Sequence, residues 1–306
     1  MSLKIIFMGT PEFSVPTLKA LINSDHEIVT VYTQPAKRAN RGQKIKPSSV
    51  EIFTKNHSLK LKTPTSLDSD KEYNYFKKIK PDLVIVVAYG KIIPQRFLKI
   101  VKYGFINLHA SLLPKWRGAA PIQRSIMNLD NETGISIMRI EEELDTGPVM
   151  HQDKININEN IDSLSLSKIL SEIGAKAILN SLNKIINNKA IFKEQNHKEA
   201  TYAKKISKKE AKIDWNENAI KVLAKINGLN PNPGAWFEYE NQRYKVWKAK
   251  ITEEEGETGN VINDNLTVAC KSKSLTILEI QKEGKNKQST EQFLAGNQIK
   301  KGKYLT

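Results

Sequence analysis

The chain has 306 residues, more than a single hydrophobic core usually supports, so two domains are expected. No apolar run approaches the roughly 18 to 20 residues of a membrane span, and the start, MSLKIIFMG, lacks the features of a secretory signal, so we expect a cytoplasmic protein without a membrane partner. The 48 Lys and Arg and 33 Asp and Glu give a net charge of +15, which suits a polyanion such as nucleic acid, although a composition rich in Lys, Ile and Asn explains the charge equally well.

Short apolar strands alternate with amphipathic helices over the first half of the chain. The predicted strands are residues 3–9, 26–33, 82–90, 104–109, 133–140 and 149–157. Helical apolar spacing marks residues 14–24 and, at greater length, residues 162–188. This alternation predicts an α/β domain with a mostly parallel, Rossmann-like sheet over residues 1–190.

The turn after the first strand, MGTPEFS, bears on which ligand the sheet could bind. A dinucleotide fingerprint needs three glycines in the spacing G-x-G-x-x-G, so that a pyrophosphate can approach the next helix. Only Gly9 is present here, and Pro11 and Glu12 occupy the turn. A nicotinamide or flavin cofactor is therefore not expected.

Two polar side chains lie in the strand GFINLH, at 104–109. Because side chains alternate along a strand, Asn107 and His109 point to one face and lie where the strand ends, which is where open α/β sheets bind ligands. An isolated histidine in a strand is also commonly a hydrogen-bonded core residue. The pattern alone leaves both interpretations open.

A carboxylate in a later turn favours the catalytic interpretation. Asp145 lies in EEELDTGPVM, between two predicted strands, from where it could reach a neighbouring strand end and orient His109. His109 would then act as a general base, and the Asn107 amide would donate to an oxyanion. The trio suits acyl or one-carbon transfer to an amine.

Two other types of site fit the sequence less well. An aspartic protease is disfavoured because its Asp-Thr-Gly triplet needs preceding apolar residues and a second copy, whereas glutamates precede Leu144 and the triplet occurs once. A metal site is disfavoured because the five histidines lack metal-ligand spacing. The one cysteine, Cys270, cannot form an internal disulfide and is expected to be a small core residue.

The second half of the chain changes in composition. Residues 191–207 lose the apolar period and gather lysines, which predicts a basic linker. Residues 208–306 contain about five short alternating strands with Gly and Asn turns, which predicts a small OB-like β-barrel, a common nucleic-acid platform. From residue 204 onward, 19 Lys and Arg face 13 Asp and Glu, a moderate excess.

Several distinctive stretches of the sequence occur together in one known group of enzymes. They are NLHASLLPKWRGAAPIQ from Asn107, LDTGPVM from Leu144, MGTPEFSVPTL from Met8, TQPAKRANRGQKIKPSSV from Thr33 and INGLNPNPGAWF from Ile226. With these motifs spread over both predicted domains, the chain resembles the methionyl-tRNA formyltransferases, a branch of the folate-dependent formyltransferase family.

The resemblance implies both substrates and the residues that serve them. The donor would be 10-formyltetrahydrofolate, the acceptor would be the amino group of methionine on initiator tRNA, and no metal would take part. Asn107, His109 and Asp145 match the catalytic trio. The folate-binding positions would be Ser111, Leu112, Leu113 and Pro114, with the backbone of Ala88, Tyr89 and Gly90.

The resemblance implies that basic residues near the site contact tRNA. The alternative interpretation is that these residues form a solvated surface. They are Lys37, Arg38, Arg41 and Lys44 in the loop after the second strand, Lys204 and Lys205 in the linker, and Lys208 directly after it. Two alternative functions remain: formyl transfer to an amino-sugar nucleotide, and RNA binding without enzymatic activity. The resemblance also implies a monomer.

Overall fold

The computed structural model describes residues 2–39, 44–296 and 299–306. The chain forms two compact units, and each is discontinuous in sequence. The first unit comprises residues 1–119, 134–155 and 167–203, and the second comprises residues 120–133, 156–166 and 204–306. None of the helices in the described ranges combines the length and the apolar character that a membrane crossing requires.

The secondary structure elements are numbered in chain order. Up to residue 203 they are β1 Lys4–Gly9, α1 Val15–Ile22, β2 Glu27–Tyr32, β3 Lys37–Ala39, β4 Lys44–Lys46, α2 Ser49–Asn56, β5 Leu61–Lys62, α3 Asp70–Ile79, β6 Leu83–Val87, α4 Gln95–Leu98, β7 Phe105–His109, β8 Arg117–Gly118, α5 Pro121–Met127, β9 Glu132–Arg139, β10 Val149–Asn156, α6 Ser163–Ile186 and β11 Tyr202–Ala203. Beyond it they are α7 Ala219–Leu229, β12 Ala235–Tyr239, β13 Gln242–Thr252, β14 Val261–Asn263, β15 Thr267–Ala269, β16 Ser274–Lys282, β17 Gln288–Ser289 and α8 Thr290–Gly296. The six strands predicted in the first half correspond to β1, β2, β6, β7, β9 and β10.

A seven-stranded sheet forms the centre of the first unit. Its order is β10-β9-β7-β6-β1-β2-β5, with β9 antiparallel to β7 and the pairs among β1, β2, β5, β6 and β7 parallel. The sheet is therefore mostly parallel and Rossmann-like, as predicted. Gly9 pairs with Val87, and Val87 pairs with Leu108, so β1, β6 and β7 end at one edge.

Apolar side chains cover both faces of this sheet. Ile5, Ile6 and Phe7 are successive residues of β1 and are all inaccessible to solvent, as expected for a strand with helices on both sides. On one face Phe76 of α3 lies edge-on to Phe97 of α4, with the ring centroids 5.0 Å apart. This packing explains why β1 reads as a continuous apolar run.

The helices α2 and α3 begin at the same sequence signal. Each follows a serine that is three residues before a glutamate, and each serine hydroxyl accepts a hydrogen bond from the glutamate's backbone N–H. The pairs are Ser48 with Glu51 and Ser69 with Glu72. These caps set where the two helices begin.

The second unit contains an antiparallel sheet in the order β12-β13-β16-β15-β14, with β17 added to β16. This is the small β-rich domain that the alternating pattern predicts. Its core holds Phe237 stacked on Tyr244 at 5.4 Å between ring centroids, with Phe293 edge-on to Tyr244. Cys270 is buried in the same core, as predicted, and burial raises the pKa of its thiol to about 12.

Residues from the middle of the chain complete the second unit. Helix α5 packs on α7, where a side chain at Gly228 would collide with Met127. Arg124 of α5 also forms an ion pair with Glu210, and this hydrogen bond lowers the pKa of the Glu210 carboxyl. The unit therefore includes residues that the sequence pattern assigns to the first domain.

Helix α6 packs closely against the strand that carries the candidate catalytic residues. A Cβ atom at Gly174 would lie 2.5 Å from Cδ2 of Leu108, closer than carbon atoms can approach without moving. Leu108 is buried and lies between Asn107 and His109 in β7. The absence of a side chain at Gly174 thus sets how near α6 lies to this strand.

We expect Gly174→Ala to destabilise the protein, because overpacking costs about 1 to 3 kcal/mol whereas the better helix propensity of alanine returns about 1 kcal/mol. Urea unfolding measures the difference. In a Leu108→Ala background the collision is gone, so the same substitution should become neutral or stabilising. Gly296→Ala in α8, where a Cβ meets no atom of the described residues within 4 Å, is the control and should not destabilise.

Candidate active site

Strand β7 places Asn107 and His109 at the edge where the parallel strands end. It lies between β6 and β9, and its register pairs Asn107 with Met138 and His109 with Ser136. The Asn107 side chain is partly exposed, and among the described residues its amide has no hydrogen-bond partner. The amide N–H groups are therefore free to donate to a bound molecule.

His109 is buried and held by contacts at both ring nitrogens. Its Nε2 lies 2.9 Å from the carbonyl oxygen of Trp116, and its Nδ1 lies 3.6 Å from Oδ2 of Asp145. Because a carbonyl only accepts, Nε2 carries the proton in this contact. Nδ1 is then the nitrogen that can accept a proton, with a carboxylate beside it to stabilise the resulting charge.

Asp145 lies in a turn with left-handed backbone, at a φ of 55°. Aspartate tolerates this conformation better than most residues do. Its Oδ2 accepts a hydrogen bond of 2.8 Å from the backbone N–H of Gly118, and its side chain is largely buried. The carboxylate is therefore fixed by backbone on one side and faces His109 on the other.

The segment 116–118 contacts both catalytic candidates and is itself held by residues 201–203. The Trp116 N–H donates to Oγ1 of Thr201 at 2.9 Å, and β8 pairs in parallel with β11. Gly118 has a φ of 122°, and a Cβ there would lie 2.8 Å from the Ala203 carbonyl oxygen. Only glycine fits this approach.

Residues 201–203 lie within the stretch predicted to be a linker, and the sequence analysis did not assign them to the site. The structure places residues 191–203 in the first unit and Lys204 at the start of the last segment of the second. The one available signal was Tyr202 and Ala203, which interrupt the run of lysines. The high lysine content of this stretch therefore gave no indication of the short strand β11.

The predicted folate segment 111–114 follows β7 directly. The Ser111 hydroxyl donates to the Lys115 carbonyl, and the Leu113 N–H donates to the Ser136 hydroxyl at 3.0 Å, so both positions use their polar groups internally. Leu112 and Pro114 are partly exposed. These two are the members of the segment that remain accessible to a ligand.

The second predicted folate segment, Ala88 to Gly90, follows β6 at the same edge. Ala88 and Gly90 are exposed, whereas the Tyr89 side chain is buried in the aromatic core. The Tyr89 carbonyl accepts a hydrogen bond of 2.9 Å from the Thr10 hydroxyl. The backbone of this segment, rather than the tyrosine ring, therefore faces the edge.

The structure describes some of the predicted tRNA-binding residues fully, some in part and one not at all. Arg41 lies outside the described residues, and the backbone of Lys37, Arg38 and Lys44 lies in the antiparallel strands β3 and β4. The side chains of Lys204, Lys205 and Lys208 in the second unit are exposed. Within the described part of the chain, no group of three or more His, Cys, Asp or Glu side chains could hold a metal ion.

Comparison with known proteins identifies the family. The model of the Formyl transferase family matches residues 3–182, and that of the Formyl transferase, C-terminal domain, matches residues 205–298. The chain belongs to the formyl transferase family. Among curated members, methionyl-tRNA formyltransferase of Pelagibacter ubique is 49% identical over all of this chain and 99% of its own length, and that of Mesorhizobium japonicum is 41% identical over 99% of both.

Solved structures of other proteins share the fold. HypX from Aquifex aeolicus matches all of this chain with a TM-score of 0.69 at 18% identity, and the match covers 51% of HypX. A methionyl-tRNA formyltransferase from Clostridium thermocellum matches 83% of this chain and 95% of its own, with a TM-score of 0.55 at 16% identity. At these identities the likeness is evidence of fold alone.

We expect Asp145→Asn to lower the rate of formyl transfer by about 10²- to 10⁴-fold, the range of general acid–base effects, while the unfolding temperature changes little. The amide oxygen of asparagine can still accept from the Gly118 N–H, but the charge beside His109 is lost. Steady-state kinetics and thermal unfolding measure the two effects.

The matched control is Asp153→Asn. Asp153 also pairs with a histidine, His151, at 3.0 Å, but both are partly exposed on β10 outside the site. This variant should retain wild-type kinetics. Equal losses in the two variants would mean that the His109–Asp145 pair has no special part in the reaction.

Proposed function

We propose that the protein transfers the formyl group of 10-formyltetrahydrofolate to the amino group of methionyl-initiator tRNA, in the cytoplasm, for translation initiation. The observation that carries this proposal is the 49% identity to a methionyl-tRNA formyltransferase over all of this chain and 99% of the relative. A match of this extent includes the acceptor-binding parts of the protein as well as the catalytic strand.

The geometry of β7 supports a mechanism without a covalent enzyme intermediate. The donor supplies a formyl carbon, which the amine nitrogen attacks. His109 takes the amine proton at Nδ1, since Nε2 is bound to the Trp116 carbonyl, and Asp145 balances the new positive charge. The Asn107 amide donates to the formyl oxygen as negative charge develops there. His109 then delivers the proton to the departing folate nitrogen.

Folate binding is proposed at the edge formed by residues 88–90 and 111–114. The backbone of Ala88 and Gly90 and the side chains of Leu112 and Pro114 are accessible, which suits a flat ring that needs polar backbone groups on one side and apolar contacts on the other. Among the structural relatives, HypX was crystallised in complex with tetrahydrofolic acid, and a sugar 3N-formyl transferase was crystallised with 5-N-formyl-THF.

Binding of tRNA is proposed at the basic residues of both units. In the second unit the candidates are Lys204, Lys205 and Lys208, whose exposed side chains could reach phosphates. The Lys208 carbonyl accepts from the Trp236 indole, so its backbone is held while the residue remains exposed. The corresponding candidates in the first unit are Lys37, Arg38, Arg41 and Lys44.

The domain boundaries follow from the same proposal. We assign formyl transfer to residues 1–190, a basic linker to 191–207 and tRNA binding to an OB-like domain at 208–306. The matched ranges 3–182 and 205–298 support this division, and a monomer would suffice because every proposed catalytic residue comes from one chain.

The first test compares acceptors. Transfer from 10-formyltetrahydrofolate is measured to methionyl-tRNA and, in parallel, to a 4-amino-4-deoxy sugar nucleotide. We expect formylation of the tRNA only, with kcat lowered at least about 10²-fold in His109→Ala and Asn107→Ala and with tRNA affinity nearly unchanged. Transfer to the sugar alone would retain the catalytic trio but overturn the proposed acceptor.

The second test concerns phosphate contacts. Replacing Lys204 and Lys205 together by alanine should weaken tRNA binding and reduce the slope of log K against log salt concentration by about one to two, because fewer counterions are released. Fluorescence titration over a range of salt concentrations measures this slope. The double variant Lys71→Ala, Lys78→Ala, at exposed positions of α3, removes the same charge and should leave the slope unchanged. An unchanged slope in the first variant would exclude phosphate contacts there.

A further inference from the structure

The turn that carries Asp145 is held by a side chain about fifty residues further along the chain. Gln195 is buried, and its Nε2 donates to the carbonyl oxygen of Asp145 at 2.9 Å and to that of Gly147 at 2.7 Å. Both acceptors are carbonyls, so the amide nitrogen must face them. One amide group thus spans the turn on both sides of Thr146.

The other end of the same amide contacts a buried cation. Oε1 of Gln195 accepts from Nη2 of Arg117 at 2.7 Å and from its Nε at 3.1 Å. Arg117 is 2% exposed, and no carboxylate of the described residues lies within 4.0 Å of its guanidinium. Reversing the amide would place its N–H groups against the cation and its oxygen against two carbonyls. The hydrogen bonds therefore fit only one orientation of the Gln195 amide.

These contacts close a ring around the catalytic pair. Arg117 lies between Trp116, whose carbonyl accepts from His109, and Gly118, whose N–H donates to Asp145. Gln195 joins Arg117 to the backbone of Asp145 from the opposite side. The 3.6 Å separation of His109 and Asp145 is therefore set by two connections, of which Gln195 provides one.

Glutamine amides hold the two proposed folate segments in the same way. Gln34 donates to the carbonyls of Tyr89 and Gly90, at 2.8 and 3.1 Å. Gln152 donates at 2.9 Å to the Leu113 carbonyl and, equally, to the Ser136 hydroxyl. Gln34 and Gln195 thus each bind two carbonyls of their segment, whereas Gln152 binds one carbonyl of its segment and the Ser136 hydroxyl. Of the three glutamines, Gln195 holds the turn that carries Asp145.

We propose that Gln195 is a positioning residue for formyl transfer, which holds Asp145 against His109 without contacting either substrate. The inference rests on the proposed function for its kinetic readout. A carboxylate at this position would still satisfy Arg117 but could not donate to the turn. Gln195→Glu therefore removes the positioning contacts without leaving the buried cation unpaired.

The decisive variant is Gln195→Glu, assayed in the full-length protein. Arg117 keeps the new carboxylate ionised, so the oxygen that replaces Nε2 faces the carbonyls of Asp145 and Gly147 and the turn shifts. We expect kcat to fall about 10- to 100-fold, with the KM values for 10-formyltetrahydrofolate and methionyl-tRNA within about threefold of wild type. Gln95→Glu, at an exposed position of α4, adds the same charge and is the control.

A double-mutant cycle separates positioning from a general structural role. If Gln195 acts through Asp145, adding Gln195→Glu to Asp145→Asn should change kcat less than twofold further. A full additional loss in the double variant would overturn the proposal. So would wild-type kcat in the single variant.

Hydrogen exchange at the Gly118 amide tests the inference without any activity. This N–H is protected by Asp145 Oδ2, so its exchange should accelerate at least about tenfold in Gln195→Glu and remain unchanged in Gln95→Glu. Unchanged protection in Gln195→Glu would overturn the proposed positioning. If wild-type protein formylates neither acceptor, the proposed function fails, while the exchange experiment still decides whether Gln195 holds the turn.

Discussion

The hydrogen bond from the Gly118 N–H to Asp145 Oδ2 is the contact on which the site depends. The carbonyl oxygen of Trp116, in the same three-residue segment, also accepts from His109, so the main chain of one segment contacts both the carboxylate and the imidazole. The segment reaches this position only because Gly118 adopts a φ of 122° and lies against the Ala203 carbonyl. Since a misplacement of about 1 Å can cost two orders of magnitude in rate, a rigid support of this kind has direct kinetic value.

The local part of this arrangement could be predicted from the sequence. The alternation of side chains along β7 placed Asn107 and His109 on one face, and the strand–helix periodicity placed that strand in a mostly parallel sheet. Both inferences use neighbouring residues, for which the geometry of the chain is nearly fixed. The long-range contacts could not be obtained in this way. Arg117 and Gln195 are 78 residues apart, and no period or motif connects them.

Composition did not reveal the contacts that residues 201–203 make. The lysines of residues 191–207 indicate a solvated linker, but Thr201 and Ala203 supply backbone and hydroxyl partners to the segment beside His109. Similarly, α5 lies within residues 1–190, the range predicted for the first domain. It belongs to the second unit because its apolar face packs on α7, and a sequence pattern cannot reveal which core an amphipathic helix joins.

Because Gln195 is a neutral amide, it adds no second negative charge near Asp145. A carboxylate beside Arg117 would satisfy the cation more strongly, but it would place a second negative charge behind the Asp145 turn and lose both donors to it. The amide instead passes the polarity of the guanidinium on to its own N–H groups, which strengthens their bonds to the turn. Asp145 thereby remains a carboxylate 3.6 Å from Nδ1 of His109, where the proposed proton transfer requires a balancing negative charge. An N-formyltransferase and a sugar formyltransferase share this fold at 17 and 20% identity, so the fold alone does not specify the acceptor.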